Sequence, residues 1–164
     1  MKQLLLIITV ILISVSCKND KNIYGVDCTD NNSKALVSES DSIGKYIDDK
    51  VANGDTALIA TLHPNGFYYQ IIEPGDNSRA ETCSYINVDY KGRLFNGNVF
   101  DQRTDTGLYL YNTIAGWQQA IKLVGKGGKI NIYLPPTLAY GEKPSGSIPA
   151  NSYLFFEITV NGFN

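Results

Sequence analysis

Tyr85-Ile86-Asn87-Val88-Asp89-Tyr90-Lys91-Gly92-Arg93-Leu94-Phe95-Asn96-Gly97-Asn98-Val99-Phe100-Asp101 decides the fold. Its first half, extended back to Cys83, is rich in β-branched and aromatic residues, as a strand requires. Asn96-Gly97 then interrupts two apolar runs, and both residue types tolerate positive φ, so the pair predicts a two-residue hairpin. Chain direction reverses there, which makes the sheet antiparallel. Within the first strand Tyr90 alternates in phase with Ile86 and Val88, so its ring faces the core or a cavity and its hydroxyl needs a partner.

Outward from this hairpin, further strands are expected over 57–62, 67–73, 109–111, 129–134 and 153–163. In the last, Leu154, Phe156, Ile158 and Val160 share one face, and Ile130, Ile132 and Leu134 do so in the strand before it. One helix interrupts them. Ile114, Trp117, Ile121 and Val124 form an apolar stripe, Gln118, Gln119 and Lys122 lie elsewhere, and Gly125 stops the pattern. Pro135-Pro136 reads as a strand end, and His63 as a surface residue at a strand end. The fold class is therefore α+β: a bent antiparallel β-sheet, a half-barrel, wrapped over one central α-helix.

The 164 residues carry 14 Lys+Arg and 16 Asp+Glu, a formal charge of −2. Without a basic footprint, nucleic acid is a poor partner. One histidine and three scattered cysteines argue against zinc clusters and leave any histidine-centred triad dependent on His63. The glycine-rich stretch lacks the spacing of a phosphate loop. No cofactor is implied.

Residues 1–16 have a secretory layout: Met1-Lys2-Gln3, the apolar run Leu4 to Ile13, then Ser14-Val15-Ser16. Ten residues rise only about 15 Å as a helix, half of a roughly 30 Å hydrocarbon core. The small residues before Cys17 resemble the lipobox of bacterial lipoproteins, which implies cleavage after Ser16 and acylation of Cys17; Ser14 departs from that pattern. Residues 17–36 read as a lipid-anchored flexible tether, too polar to bury a face. Residues 37–55 hold a short amphipathic helix, with Ser38 and Asp41 as a weak capping box, Ile43, Tyr46, Ile47 and Val51 at helical spacing, and Asn53-Gly54 as its stop. The main domain is 56–164. In an oxidising compartment Cys28 and Cys83 are candidates for a disulfide, the alternative being a buried Cys83 with Cys28 free in the tether.

Several stretches occur in an order that resembles the FKBP-type peptidyl-prolyl cis-trans isomerases: Val88-Asp89-Tyr90-Lys91-Gly92, Asn96 to Asp101, Ile114-Ala115-Gly116-Trp117, Leu138-Ala139-Tyr140-Gly141, Ile148-Pro149-Ala150-Asn151 and Leu154 to Glu157. Asn65-Gly66-Phe67-Tyr68-Tyr69 looks like the lead-in of exported bacterial members. The resemblance implies a site lined by Tyr90, Phe100, Asp101, Ile114, Trp117, Tyr140, Ile148 and Phe156. Trp117 would be the floor beneath a prolyl ring, Tyr140 and the Ile114 N–H would donate to substrate carbonyls, and Asp101 would polarise the site. The implied partners are proline-containing unfolded or partly folded exported proteins, near a bacterial membrane reached through the lipid. A non-catalytic proline-binding module or holdase is the alternative. On local sequence alone, Trp117, Ile114 and Phe156 equally fit an ordinary core, and Asp101 a turn cap. The segment between Phe100 and Trp117 is shorter than in compact members, with Leu108 in place of one aromatic wall. Thr113 stands where an aliphatic is usual, and Pro144-Ser145-Gly146-Ser147 alters the flap before Ile148.

Overall fold

The computed structural model describes residues 25–164; the signal layout and Cys17 lie outside the described residues. Six strands form one antiparallel sheet: β1 Thr61–Leu62, β2 Tyr68–Glu73, β3 Tyr85–Leu94, β4 Val99–Tyr109, β5 Lys129–Leu134 and β6 Leu154–Phe163. Their spatial order is β1-β2-β5-β6-β3-β4. Helix α1, Val37–Ala52, packs on one face and α2, Ala115–Ala120, on the other, α2 continuing as a 3-10 turn through Leu123.

Alternation in β5 and β6 builds the main core. Ile130, Ile132, Leu134, Leu154, Phe156, Ile158 and Val160 meet Trp117, Ala120, Ile121 and Val124 of the helix segment, all buried. Burying each large side chain contributes roughly 1.5–3 kcal/mol. The opposite face is not left to solvent. Ile43 and Ile47 of α1 cover Tyr133, with Tyr46, Phe95, Tyr153 and Phe155 packed around them.

Several local expectations shift for physical reasons. The Asn96-Gly97 turn is a three-residue loop: Leu94 N–H bonds Asn98 O at 2.9 Å, Gly97 N–H bonds Leu94 O at 2.8 Å, and Gly97, at φ 93°, takes the left-handed conformation. Pro64-Asn65-Gly66 repeats this geometry between His63 and Phe67, again with the glycine at positive φ. His63 is thus a turn residue, half-buried and stacked on Phe67 at 4.3 Å rather than simply at the surface. Only Thr61–Leu62 of the expected 57–62 strand pairs; Ala57 lies in a turn closed by Leu58 N–H to Asp55 O at 3.2 Å, and its own carbonyl accepts from the Gln70 side chain at 2.9 Å. Helix α1 starts two residues earlier than a Ser38 cap would allow: Glu39 reaches back to Leu36 N–H at 3.1 Å, and Val51 stays exposed. The strand expected at 109–111 is the end of the long β4 followed by a 3-10 turn, Leu110–Asn112.

The described half of the expected tether is a strap. Cys28 and Cys83 are joined by a disulfide, Cα atoms 5.3 Å apart and 55 residues apart in sequence. Closing a loop of that length stabilises the fold by roughly 4 kcal/mol in the chain-entropy account. Asp30 pairs with Lys122 and accepts from Thr82 at 2.8 Å, Gln119 donates to Ser33 O at 2.9 Å, and Ala35 N–H bonds Asn65 O at 2.9 Å. Gln118 and Gln119, expected away from the apolar stripe, are both buried, each with defined partners.

Candidate active site

Between β3, β4, β6 and the start of α2 lies a cavity of about 260 Å3, lined by Tyr90, Phe100, Asp101, Leu108, Asn112, Thr113, Ile114, Trp117, Tyr140 and Phe156. Seven of the eight residues named from the sequence line it. The eighth, Ile148, is buried in the adjoining core beside the flap, where Ser145 and Ile148 exchange backbone hydrogen bonds of 2.9 Å across a tight turn.

Strict alternation would send Phe100 and Asp101 to opposite faces of β4. A bulge removes that constraint: Gly92 pairs with Asp101 while the next residue, Arg93, pairs with Val99, so Phe100 is the extra residue. Both side chains then reach one cavity. Gly92 makes room for the ring, since a Cβ there would sit 2.4 Å from Phe100 Cζ and 2.9 Å from Phe156 Cε1. No single-strand periodicity carries this signal.

Trp117 sits at the base of the cavity, buried. Tyr90 meets it edge-on at 5.1 Å and 86°, Phe156 at 5.3 Å and 81°, and Phe100 meets Phe156 at 5.5 Å and 86°. Edge-to-face rings favour one another by about 0.5–1.5 kcal/mol beyond their burial, and this arrangement leaves a hollow where stacked rings would fill it.

The polar groups are few and placed. Tyr90 Oη donates to Asp101 Oδ2 at 2.5 Å, the partner that its inward position demanded. Burial first, then that hydrogen bond and the Asp101 charge, push the Tyr90 phenol up to about 12. Arg103 Nε approaches the other carboxylate oxygen at 3.6 Å from the exposed rim. Tyr140 is 40% exposed, and burial and then the Asp101 charge raise its phenol as well, so it remains a donor at neutral pH. Ile114 caps α2 in an extended conformation, φ −61° and ψ 151°, so its own N–H stands outside the helical ladder. Among the described residues no group of three or more His, Cys, Asp or Glu is placed to hold a metal ion.

Sequence reasoning missed Asn112 as a lining residue, since it lies in the 3-10 turn that replaces an expected strand. Leu108 does line the cavity at its β4 side, and the Thr113 hydroxyl donates to Leu110 O at 2.7 Å, which lets a polar residue occupy that wall.

Residues 76–161, which contain all eight named positions, match the model of the FKBP-type peptidyl-prolyl cis-trans isomerase family. The chain belongs to that family. Among curated FKBP-type relatives, FkpA of Buchnera aphidicola subsp. Acyrthosiphon pisum is 40% identical over 106 residues, 60% of this chain and 44% of that protein. FkpA of Escherichia coli strain K12 is 37% identical over 99 residues, 58% of this chain and 37% of that protein. The match therefore spans less than half the length of these relatives. Of solved structures, FkpA from Escherichia coli superposes with a TM-score of 0.65 at 30% identity, over 78% of this chain and 61% of that one. AtFKBP13 gives 0.60 at 28%, over 65% of this chain and all of the other. The half-barrel over a helix is thus the FKBP fold.

Proposed function

We propose that this FKBP domain catalyses cis–trans isomerisation of X–Pro bonds in exported, unfolded or partly folded chains. The observation that carries this reading is the edge-to-face box of Tyr90, Phe100, Trp117 and Phe156 opening on the same hollow as Asp101. Rotation about the amide breaks conjugation against about 18–20 kcal/mol, so what accelerates it is a site that fits the twisted amide better than the planar one. The prolyl ring enters over Trp117, water leaves the amide, and the carbonyl turns away from its solvent partners toward fixed dipoles. Tyr140 Oη and the Ile114 N–H donate to substrate carbonyls. Asp101, steadied by Tyr90, supplies a fixed negative charge beside the twisting bond. No covalent bond forms and no cofactor acts.

The lipobox-like sequence before Cys17 supports a further part of the reading: the chain is exported and anchored to a bacterial membrane, on the outer membrane's periplasmic or surface side, by lipid on Cys17, with the disulfide formed in that oxidising space. Palmitate label should enter the wild-type protein in cells and be absent from Cys17→Ser; equal entry overturns the anchor.

One observation favours a second reading. Leu108 closes the β4 side of the cavity where the resemblance places an aromatic ring, which suits a module that grips proline segments without turning them over. A protease-coupled prolyl-peptide assay on the full chain in mild detergent decides. An enzyme accelerates the slow phase, loses that acceleration in Trp117→Ala and keeps only part of it in Asp101→Ala. A holdase suppresses client aggregation and leaves the slow phase unchanged.

A further inference from the structure

Gln118 is buried on α2, next to the floor tryptophan, although a glutamine there gains nothing from apolar packing. Its side chain explains the burial. Nε2 donates one hydrogen to Thr113 O at 2.7 Å and the other to Tyr111 O at 3.1 Å. These two carbonyls bracket Asn112 and precede Ile114, the segment that forms one wall of the cavity. The wall is otherwise anchored at its Leu110 end, by the Leu110 N–H to Ser84 O bond of 3.0 Å and the buried Leu110 side chain. It is a short 3-10 turn whose own bonds are Thr113 N–H and Oγ1 to Leu110 O, at 3.0 and 2.7 Å. A carbonyl turned inward beside a binding cavity must be bonded or be rehydrated. Rehydration here would swing the wall outward and take the Ile114 N–H with it.

We infer that Gln118 is a positioning residue: through its two amide hydrogens it pins residues 111–113 and so fixes the Ile114 N–H at the distance a substrate carbonyl requires. Its catalytic consequence rests on the isomerase reading; the pinning does not. Gln119 is the internal contrast. It is equally buried on the same turn of helix, but its partners are Ser33 O and the Asn65 side chain, on the strap side and away from the cavity.

The test compares Gln118→Met, Gln118→Glu and Gln119→Met in the full chain, by prolyl-peptide kinetics and by amide hydrogen exchange. Gln118→Met removes both donors at similar volume. It is expected to raise KM about tenfold with kcat within about twofold, the pattern of lost binding common to ground and transition states. The Thr113 amide, the one of the wall that is bonded, to Leu110 O at 3.0 Å, should exchange faster. Gln118→Glu, the same shape with acceptors in place of donors at pH 8, should do the same, and it carries the decision if the methionine variant does not fold. Gln119→Met should lose stability yet keep the wild-type KM. Wild-type exchange at the Thr113 amide in the folded Gln118 variants, or equal KM effects at positions 118 and 119, overturns the inference. An inactive wild-type chain overturns the isomerase reading instead, and the exchange data alone then decide the pinning.

Discussion

Each face of the sheet carries a cluster of aromatic rings beside a cavity, about 200 Å3 on the α1 side and about 260 Å3 on the α2 side, but the two present different chemistry. On the α1 side Tyr46 stacks on Phe95 at 4.0 Å and 23°, and Tyr133 on Phe155 at 4.8 Å and 30°. Lys50 lies over Tyr46 and Arg93 over Phe155, so the exposed ring faces are occupied by cations. On the α2 side the rings meet edge to face, a bulge turns two consecutive residues inward, and a carboxylate shares the space. Aromatic content is therefore no guide to binding. The α1 side has an edge-to-face pair too, Phe95 and Tyr133, so what sets the α2 side apart is the one irregular residue in the ladder that brings a ring and a carboxylate together over Trp117.

Truncating one ring from each face tests the difference most severely. Trp117→Ala and Tyr133→Ala should each cost about 3–5 kcal/mol in denaturant unfolding. They part in kinetics. Trp117→Ala should lower kcat/KM by about a hundredfold or more, equivalent to about 2.7 kcal/mol of transition-state stabilisation, while folded Tyr133→Ala should stay within about twofold of wild type. Equal losses in both would show that the pocket is only another piece of core.

A smaller effect tests the bulge. Gly92→Ala places a methyl against Phe100 and Phe156, and overpacking of this kind costs about 1–3 kcal/mol. The Phe100 ring must tilt into the hollow, so kcat/KM should fall about tenfold, more than stability alone predicts at a temperature where the variant is folded. A variant with unchanged kcat/KM would show that Phe100 does not shape the site.

The smallest effect is alkaline. Tyr90, pushed up to about 12, keeps its proton in the folded state after the unfolded phenol, near its ordinary value of 10, has lost its own. The unfolded state then binds fewer protons, so stability falls as pH rises from about 10 to about 12 and is indifferent to Tyr90 below that window. Burial raises Tyr133 on the other face in the same direction. In urea titrations across this range, Tyr90→Phe should flatten the slope in part and leave the Tyr133 share. An unaltered slope would place Tyr90 in an ordinary solvated environment.

Much of this was legible in the sequence because burial leaves a period. The alternation of β5 and β6, the Trp117 stripe and the inward Tyr90 all follow from it. What escaped has no period to leave. Strand β4 is an edge strand whose Gln102 to Asp105 stretch is polar and exposed, so its length is set by pairing with β3 and not by an apolar face. Gln118 and Gln119 read only as lying off the apolar stripe because their burial depends on carbonyls, from segments 5 to 86 residues away in sequence, whose positions only the assembled fold determines. The strap at 28–35 looked like linker for the same reason: a disulfide and a few hydrogen bonds, not hydrophobic burial, hold it. Ile148 shows the converse, where the resemblance named a residue that the fold keeps behind the cavity.

The place of β6 has its own consequence. It lies between β5 and β3, so the β3–β4 hairpin that carries Tyr90 and Asp101 joins the rest of the sheet only through the strand made last. During synthesis the two halves wait unjoined until residues 154–163 have emerged. Such long-range pairing is slow to form, so closure of the site waits on the pairing of β6 with both of its neighbours.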